Sequence, residues 1–258
     1  MEETGLDKHF MVDRSLIKRI IGYSEIKEND IILEIGPGKG FLTKELVKKC
    51  RVIALEKDES FKPELSKLKK INKNLEVIFG NALKLIKNLK FNKIVSNIPY
   101  NISEPLFKQM FKLQIESAIL TVSESFAEKL LDNSSKIGMQ TNLFFNIEKL
   151  EEVSREAFLP RPRTDSAVIK LVSREEESLS TIEIILRDFT LLNDKKTKNA
   201  LQEALIEALS ITKRQAKERI TRLNLPKNVL EKNSDLLSFE EFSNMKNGIE
   251  NILNDKQV

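Results

Sequence analysis

The chain holds one cysteine, one histidine, two tyrosines and no tryptophan in 258 residues. A single thiol, Cys50, excludes an internal disulfide and a cysteine-rich zinc site, so no metal is expected and a reducing cytoplasm is the natural compartment. Long apolar runs are also missing. Nothing approaches the roughly 18 consecutive apolar residues of a membrane helix, and the acidic start, with Glu2, Glu3 and Asp7, has no apolar segment of a secretory signal. Neither charge sign dominates: 43 Lys and Arg face 39 Asp and Glu, a net charge of +4 that permits nucleic acid as a partner without demanding it. No repeat or low-complexity segment stands out.

What is present suits a soluble globular chain. With 40% apolar and 32% charged residues, it can bury one large core and a smaller one. Asp13 is placed to cap a helix carrying Leu16, Ile17, Ile20 and Ile21 on one face. Short β-rich runs follow at Ile31–Ile35, Val52–Leu55, Leu75–Phe79, from Lys93 and at Ala118–Val122, with helical spacing between them. Such alternation implies a parallel sheet covered by helices on both faces, which is an α/β fold. In such sheets ligands bind at the carboxyl ends of the strands.

The strand ends carry the candidate chemistry. After Ile35 comes Gly36-Pro37-Gly38-Lys39-Gly40, where missing Cβ atoms let backbone approach a ligand ahead of a helix expected over 41–49. The spacing is G-x-G-x-G; Phe41 stands where a dinucleotide fingerprint has its third glycine, which weakens a NAD reading. Glu56 ends the next strand, twenty residues beyond Gly36, where a carboxylate accepts from both ribose hydroxyls. Asn81 and Ala82 follow the third strand and could meet an adenine edge, through a side-chain acceptor and a backbone N–H, although Gly-Asn is equally an ordinary turn.

The fourth strand runs into Asn97-Ile98-Pro99-Tyr100. Asn97 offers an amide oxygen, Ile98 or Pro99 a backbone carbonyl, and Tyr100 a flat ring: a set suited to a planar base with an exocyclic amine, most simply adenine. Four-residue matches also arise by chance as strand-to-helix turns. Three strand ends aimed at a nucleoside-like ligand and a fourth at an amine point to S-adenosylmethionine as cofactor. His9 and Phe10 could form a lid over it; a lone histidine with no carboxylate nearby is more often a packing residue than a base.

As an ordered set, these motifs resemble the KsgA/Erm rRNA adenine N6-dimethyltransferases over residues 8 to about 172, with a Rossmann-like class I methyltransferase sheet. His9-Phe10-Met11-Val12-Asp13 is similar to that family's N-terminal signature, which implies His9 and Met11 at the cofactor. Glu34 to Gly40, Glu56, Asn81 and Asn97 to Tyr100 match its further motifs, and Ala157 to Val168 its loop and last strand. By that resemblance Phe158 covers a flipped adenine opposite Tyr100. Departures are Asp7-Lys8 for Gly-Gln, Asn81 for Asp, and Ser123-Glu124-Ser125 and Ser134 to Gly138 for a more basic, aromatic stretch.

Residues 173–178 are charged and aperiodic, the mark of a linker between a methyltransferase domain over 1–173 and a small all-helical RNA-binding domain over 179–258. Helices are expected at 182–192, 195–209, 213–223 and 239–253. Lys195, Lys196, Lys198, Lys213, Arg214, Lys217, Arg219 and Arg222 crowd two of them, with Glu203, Glu207 and Glu218 too few for balance, which favours a phosphate-facing surface. The expectation is therefore a monomeric enzyme that dimethylates adenosines near the 3′ end of small-subunit rRNA on an immature subunit, with a role in ribosome biogenesis. An Erm-type large-subunit methyltransferase and a non-catalytic assembly or transcription factor are the alternatives. A DNA methyltransferase would need more than the roughly 80 residues left for sequence reading.

Overall fold

The computed structural model describes residues 9–254; the departures expected at Asp7 and Lys8 lie outside them. The chain forms two compact units, one built from residues up to Leu131 with Asn146–Ser173, the other from Asp132–Phe145 with the chain from Arg174 onward. The linear reading placed 132–145 with the sheet.

In the first unit, strand β1 (Phe10–Met11) leads to helix α1 (Arg14–Tyr23), whose Asp13 cap accepts from the N–H groups of Ser15 and Leu16 and whose Leu16, Ile17 and Ile20 are buried. There follow β2 (Ile31–Ile35), the short α2 (Thr43–Leu46), β3 (Arg51–Glu56), α3 (Lys62–Ile71), β4 (Leu75–Phe79), α4 (Ala82–Leu85), β5 (Lys93–Asn97), α5 (Ser103–Met110), β6 (Ser117–Ser123) and α6 (Glu124–Leu131). Then α7 (Lys136–Phe144) belongs to the second unit, and β7 (Phe145–Val153), β8 (Phe158–Leu159) and β9 (Ser166–Ser173) return to the first.

Seven strands form one sheet in the order β4-β3-β2-β5-β6-β9-β7. The pairs β2/β3, β3/β4, β2/β5 and β5/β6 are parallel, and β9 runs antiparallel to β6. Central strands are apolar throughout because helices cover both faces; Ile32, Leu33, Ile94 and Leu120 are fully buried. The chain order reverses between β2 and β5, the place where such sheets open a crevice. Those strands pair only at Ile32 with Lys93 and Leu33 with Ile94. Beyond that the Ser96 hydroxyl bridges them, donating to the Ile35 carbonyl (2.6 Å) and accepting from the Ile35 N–H (3.2 Å). At the opposite end, the buried Lys93 ammonium meets Asp30 at 2.8 Å. Burial pushes the Asp30 carboxyl up, but hydrogen bonds from Lys93, the Lys27 N–H and Asn92 outweigh it and hold the group below its ordinary value.

A separate two-stranded ribbon pairs β1 with β8, Phe10 facing Leu159 and Met11 facing Phe158. The Val12 N–H extends it by donating to the Ala157 carbonyl at 2.8 Å.

The second unit is helical: α7, then α8 (Thr181–Leu191), α9 (Thr197–Leu209), α10 (Lys213–Arg222), α11 (Lys227–Glu231) and α12 (Phe239–Asn254). Reciprocal capping boxes, Ser180 with Glu183 and Thr212 with Gln215, start α8 and α10. The Lys136 ammonium ties α7 into this unit by donating to the carbonyls of Asp235 and Leu237 at 2.7 and 2.8 Å. No helix among the described residues is long and apolar enough to cross a membrane.

Candidate functional site

A cleft of 680 Å³ opens at the carboxyl ends of β2 to β5, the size of a small-molecule cofactor site. It is lined by most of the residues singled out from the sequence: His9, Gly36, Gly38, Glu56, Asn81, Ala82, Asn97, Ile98, Pro99 and Tyr100. Two others are elsewhere. Met11 and Phe158, 4% and 2% exposed, face each other across the β1–β8 ribbon and pack into the hydrophobic core. Neither Met11, expected at the cofactor, nor Phe158, expected opposite Tyr100, lines the cleft in this structure. Alternation along a two-residue strand turns Phe10 and Leu159 outward and their neighbours inward.

Glu56 is 6% exposed, with its carboxylate fixed from both sides. One oxygen accepts from the Gly38 N–H (2.9 Å), the other from the Asp58 N–H (2.8 Å). This locks the acceptor to the glycine loop, leaving further lone pairs for a diol. Gly38 has φ +52°, and a Cβ there would lie 2.7 Å from the Phe10 ring. Phe10 in turn stands edge-on to Phe61 at 5.5 Å, under the Lys39 ammonium at 5.0 Å. The ring packs over the glycine loop.

Beneath the loop lies Glu34, 2% exposed, with Oε2 lacking a hydrogen-bond partner among the described residues. Burial pushes its carboxyl up to about 8; the Glu56 charge adds to this and Thr43 opposes it. Asn81 caps α4, its side-chain oxygen accepting from the Leu83 N–H at 2.9 Å.

Asn97 is oriented by a bond that its neighbours in sequence do not provide. Its Nδ2 donates to the His9 carbonyl at 3.0 Å, while its Oδ1 is buried without a partner among the described residues. An unmet buried acceptor is unfavourable by about 1–3 kcal/mol, so this atom is poised to receive a donor. The Pro99 carbonyl accepts the Ile102 N–H at 3.1 Å and closes a turn, in which the Ile98 carbonyl takes no part. Of the two carbonyls considered from sequence, Ile98 is the freer acceptor.

Tyr100 is half-buried and its hydroxyl is 2.5 Å from Ser166 Oγ, fixing the ring against β9. Burial, with the Asp165 charge adding, pushes the phenol above its ordinary value, with Ser166 opposing, so it stays protonated. The His9 ring stands 5.8 Å from it, and its Nδ1 lies 2.9 Å from the Pro160 carbonyl. Sequence reading missed Asp58, Phe61 and Ser166. Asp58 contributes a backbone N–H and Ser166 lies 66 residues from its partner, so neither carries a local signal; Phe61 was visible only as an aromatic after Glu56.

Comparison with known proteins decides which adenine-directed chemistry this is. The model of the family "Ribosomal RNA adenine dimethylase" matches residues 2–246. The chain belongs to that family. Its relatives include a "Probable ribosomal RNA small subunit methyltransferase A" of Methanopyrus kandleri, 36% identical over 76% of this chain and 74% of the relative. Another of that name, from Methanococcus maripaludis, is 32% identical over 92% and 90%. Among solved structures, a dimethyladenosine transferase from Plasmodium falciparum superposes with a TM-score of 0.65 at 27% identity, covering 92% of this chain and 96% of the other.

The dimethylase is therefore an S-adenosylmethionine-dependent rRNA adenine N6-dimethyltransferase, and ribosomal RNA is its substrate. The cleft fits the cofactor on its own terms: a glycine loop without room for a Cβ and a fixed carboxylate acceptor. Among the described residues no cluster of His, Cys, Asp or Glu has the spacing to hold a metal ion.

Proposed function

We propose that the dimethylase acts on adenosines near the 3′ end of small-subunit rRNA, on an immature small subunit in the cytoplasm, as a monomer serving ribosome biogenesis. The names of its relatives support the small subunit over the large. The intact set of Gly38, Glu56 and Asn97 supports catalysis over a purely structural role on the same fold.

In this reading Gly36, Gly38, Glu56, Asn81 and Ala82 hold the nucleoside of the cofactor, with His9 closing beside them. When bound, S-adenosylmethionine supplies an electrophilic methyl group on its sulfonium. The adenine N6 lone pair is delocalised into the ring, and the residues of this chain restore its nucleophilicity. Asn97 Oδ1 and the Ile98 carbonyl accept the two N6–H groups and hold the nitrogen in line with the methyl group, favouring a pyramidal geometry. With the cofactor bound, these acceptors would stabilise the positive charge growing on N6 as the methyl passes from sulfur to nitrogen, the C–S bond breaking as the C–N bond forms. The proton leaves after transfer, when the nitrogen is strongly acidic, so no histidine, cysteine or carboxylate base is needed. Tyr100 stacks on the flipped base; one aromatic face provides about 1–3 kcal/mol, against a few kcal/mol for unstacking.

The observation that carries the mechanism is the unpartnered buried Oδ1 of Asn97. Single-turnover methylation of purified unmethylated small subunits tests it. Asn97→Ala is expected to slow transfer by about 10²-fold or more, with cofactor and RNA binding nearly intact. Tyr100→Phe is expected to be mild and Tyr100→Ala severe, because the ring carries the role. Near-normal chemistry in Asn97→Ala would overturn the scheme, and label found only on large-subunit RNA would overturn the target.

A further inference from the structure

Of the four side chains in the β1–β8 ribbon, three are packed and one is bare. Met11 and Phe158 point into the core, and Phe10 stands against Phe61 beneath Lys39, but Leu159, the partner of Phe10, is 62% exposed. Its backbone is nevertheless held from both directions. Before it, the Val12 and Asp13 N–H groups donate to the Ala157 carbonyl and Phe158 is anchored in the core. After it, Pro160 and Pro162 fix two of the next three φ angles. A stiff segment thus presents a leucine to solvent. Leu159 does not line the cleft but adjoins it. The carbonyl of the next residue, Pro160, lies 2.9 Å from His9 Nδ1, and the His9 ring, in the cleft wall, stands 5.8 Å from Tyr100. Two exposed guanidinium groups follow: Arg161 is paired with Glu156, and Arg163 has no ion-pair partner among the described residues. An apolar tip beside a cation suits a strand of nucleotides, apolar between its bases and anionic along its backbone.

We propose that Leu159 is a wedge that enters the RNA stack at the place the target adenosine leaves. The proposal rests on the reading in which that adenosine swings out into the cleft against Tyr100. Extraction breaks stacking on both faces of the base, and Tyr100 restores one of them. The nucleotides on either side of the gap are left with bare faces of their own. A branched apolar side chain inserted between them removes those faces from water and blocks the return of the base. Such a wedge has to stand outside the pocket, next to it, and on backbone stiff enough not to be pushed aside. Leu159 meets all three conditions, and Arg163 beside it meets the phosphates of the same strand without reading bases. An apolar protein groove would match the leucine but not the adjoining guanidinium.

The test uses the full chain and two substrates. One is the small subunit reconstituted on unmethylated rRNA; the other is the same particle with abasic residues on both sides of the adenosine that the wild type methylates, so that this base has no stack to leave. On the first, Leu159→Ala is expected to slow single-turnover methylation about tenfold, and to weaken binding of the particle by enzyme loaded with S-adenosylhomocysteine. On the second, rate and binding should both stay within about twofold of wild type. Leu159→Met keeps an apolar wedge and should restore most of the rate on the first substrate. Thermal unfolding and cofactor affinity should not change in either variant, because the side chain is exposed and outside the cleft. Equal slowing on both substrates overturns the proposal, since a wedge acts only where there is a stack to open. No slowing on either also overturns it. If the wild type methylates no rRNA adenosine, or Tyr100→Ala is normal on both substrates, the flipped-base reading itself fails, an outcome separate from these.

Discussion

Adding one methyl group at position 38 tests whether the glycine loop and the Phe10 lid form a single device. In Gly38→Ala the new Cβ would lie 2.7 Å from Phe10 Cε1, so the ring must retreat by about 1 Å to reach ordinary contact. Retreat loosens the edge-on contact with Phe61, worth about 0.5–1.5 kcal/mol, and the Lys39 interaction, worth about 0.5–1 kcal/mol. The positive φ adds about 1–2 kcal/mol of backbone strain that is independent of the ring. Together these predict a destabilisation of about 2–4.5 kcal/mol, or a Tm roughly 4–18 °C lower in a chain of this size. The Gly38 N–H also holds Glu56, so cofactor affinity should fall about tenfold or more. The assay is a double-mutant cycle of wild type, Gly38→Ala, Phe10→Ala and the double variant, followed by thermal unfolding and calorimetric titration with S-adenosylmethionine. In the double variant the clash is gone and, relative to Phe10→Ala alone, only the strain of about 1–2 kcal/mol is added, so the two changes must be non-additive. Additive effects with normal cofactor affinity in Gly38→Ala would refute the idea that loop and lid are interlocked.

Two further outcomes follow from the same cleft. Glu34 titrates near 4.5 when unfolded and near 8 when folded, so the native state holds its proton more tightly. Its contribution is complete below pH 4.5 and is lost as pH rises through 8, at up to about 1.4 kcal/mol per pH unit. Glu34→Gln should therefore flatten the fall in Tm between pH 5 and 9, and parallel curves for the two proteins would count against a protonated Glu34. Asn81→Asp should tighten cofactor binding modestly, since a charged acceptor strengthens both the cap on Leu83 and a bond to an adenine amine; weaker binding by calorimetry at neutral pH would show that the surroundings require the amide.

Much of the sheet was legible because its signals are local. Ile31–Ile35 and Leu75–Phe79 coincide with β2 and β4, and the apolar runs at 52–55 and 118–122 lie within β3 and β6. A buried parallel strand announces itself as an uninterrupted β-branched run, and Asp13 announces its helix by its own cap. The motif residues at strand ends were legible for the same reason. What escaped was non-local or polar. The strand β7, Phe-Asn-Ile-Glu-Lys-Leu-Glu-Glu-Val, has no clean alternation, and α7 joins the helical unit through carbonyls of Asp235 and Leu237, about a hundred positions on. The helix expected over 41–49 is regular only at Thr43–Leu46. Phe158 and Met11 illustrate the limit most clearly: a motif marks both residues, but which side of a two-residue strand faces the core is set by pairing with a segment almost 150 residues away. The sign of the basic surface has the same origin, since Glu231 reaches Lys196 and Lys198 only through the fold.

The ribbon of β1 with β8 imposes an order on the making of the enzyme. The His9 carbonyl that orients Asn97 is held in place by contacts to Ala157, Phe158 and Pro160, across some 150 residues of chain. On a ribosome the strands β2 to β5 emerge and can pair while the end of the catalytic unit is still being synthesised. Closing so long a loop carries a large entropic cost and waits on the sheet that brings its ends together. A nascent chain released before residue 160 would therefore possess the glycine loop, Glu56 and Asn97, and the His9 carbonyl itself, yet lack the strand that holds that carbonyl against the amide, so competence to transfer a methyl group appears late in the synthesis of this unit.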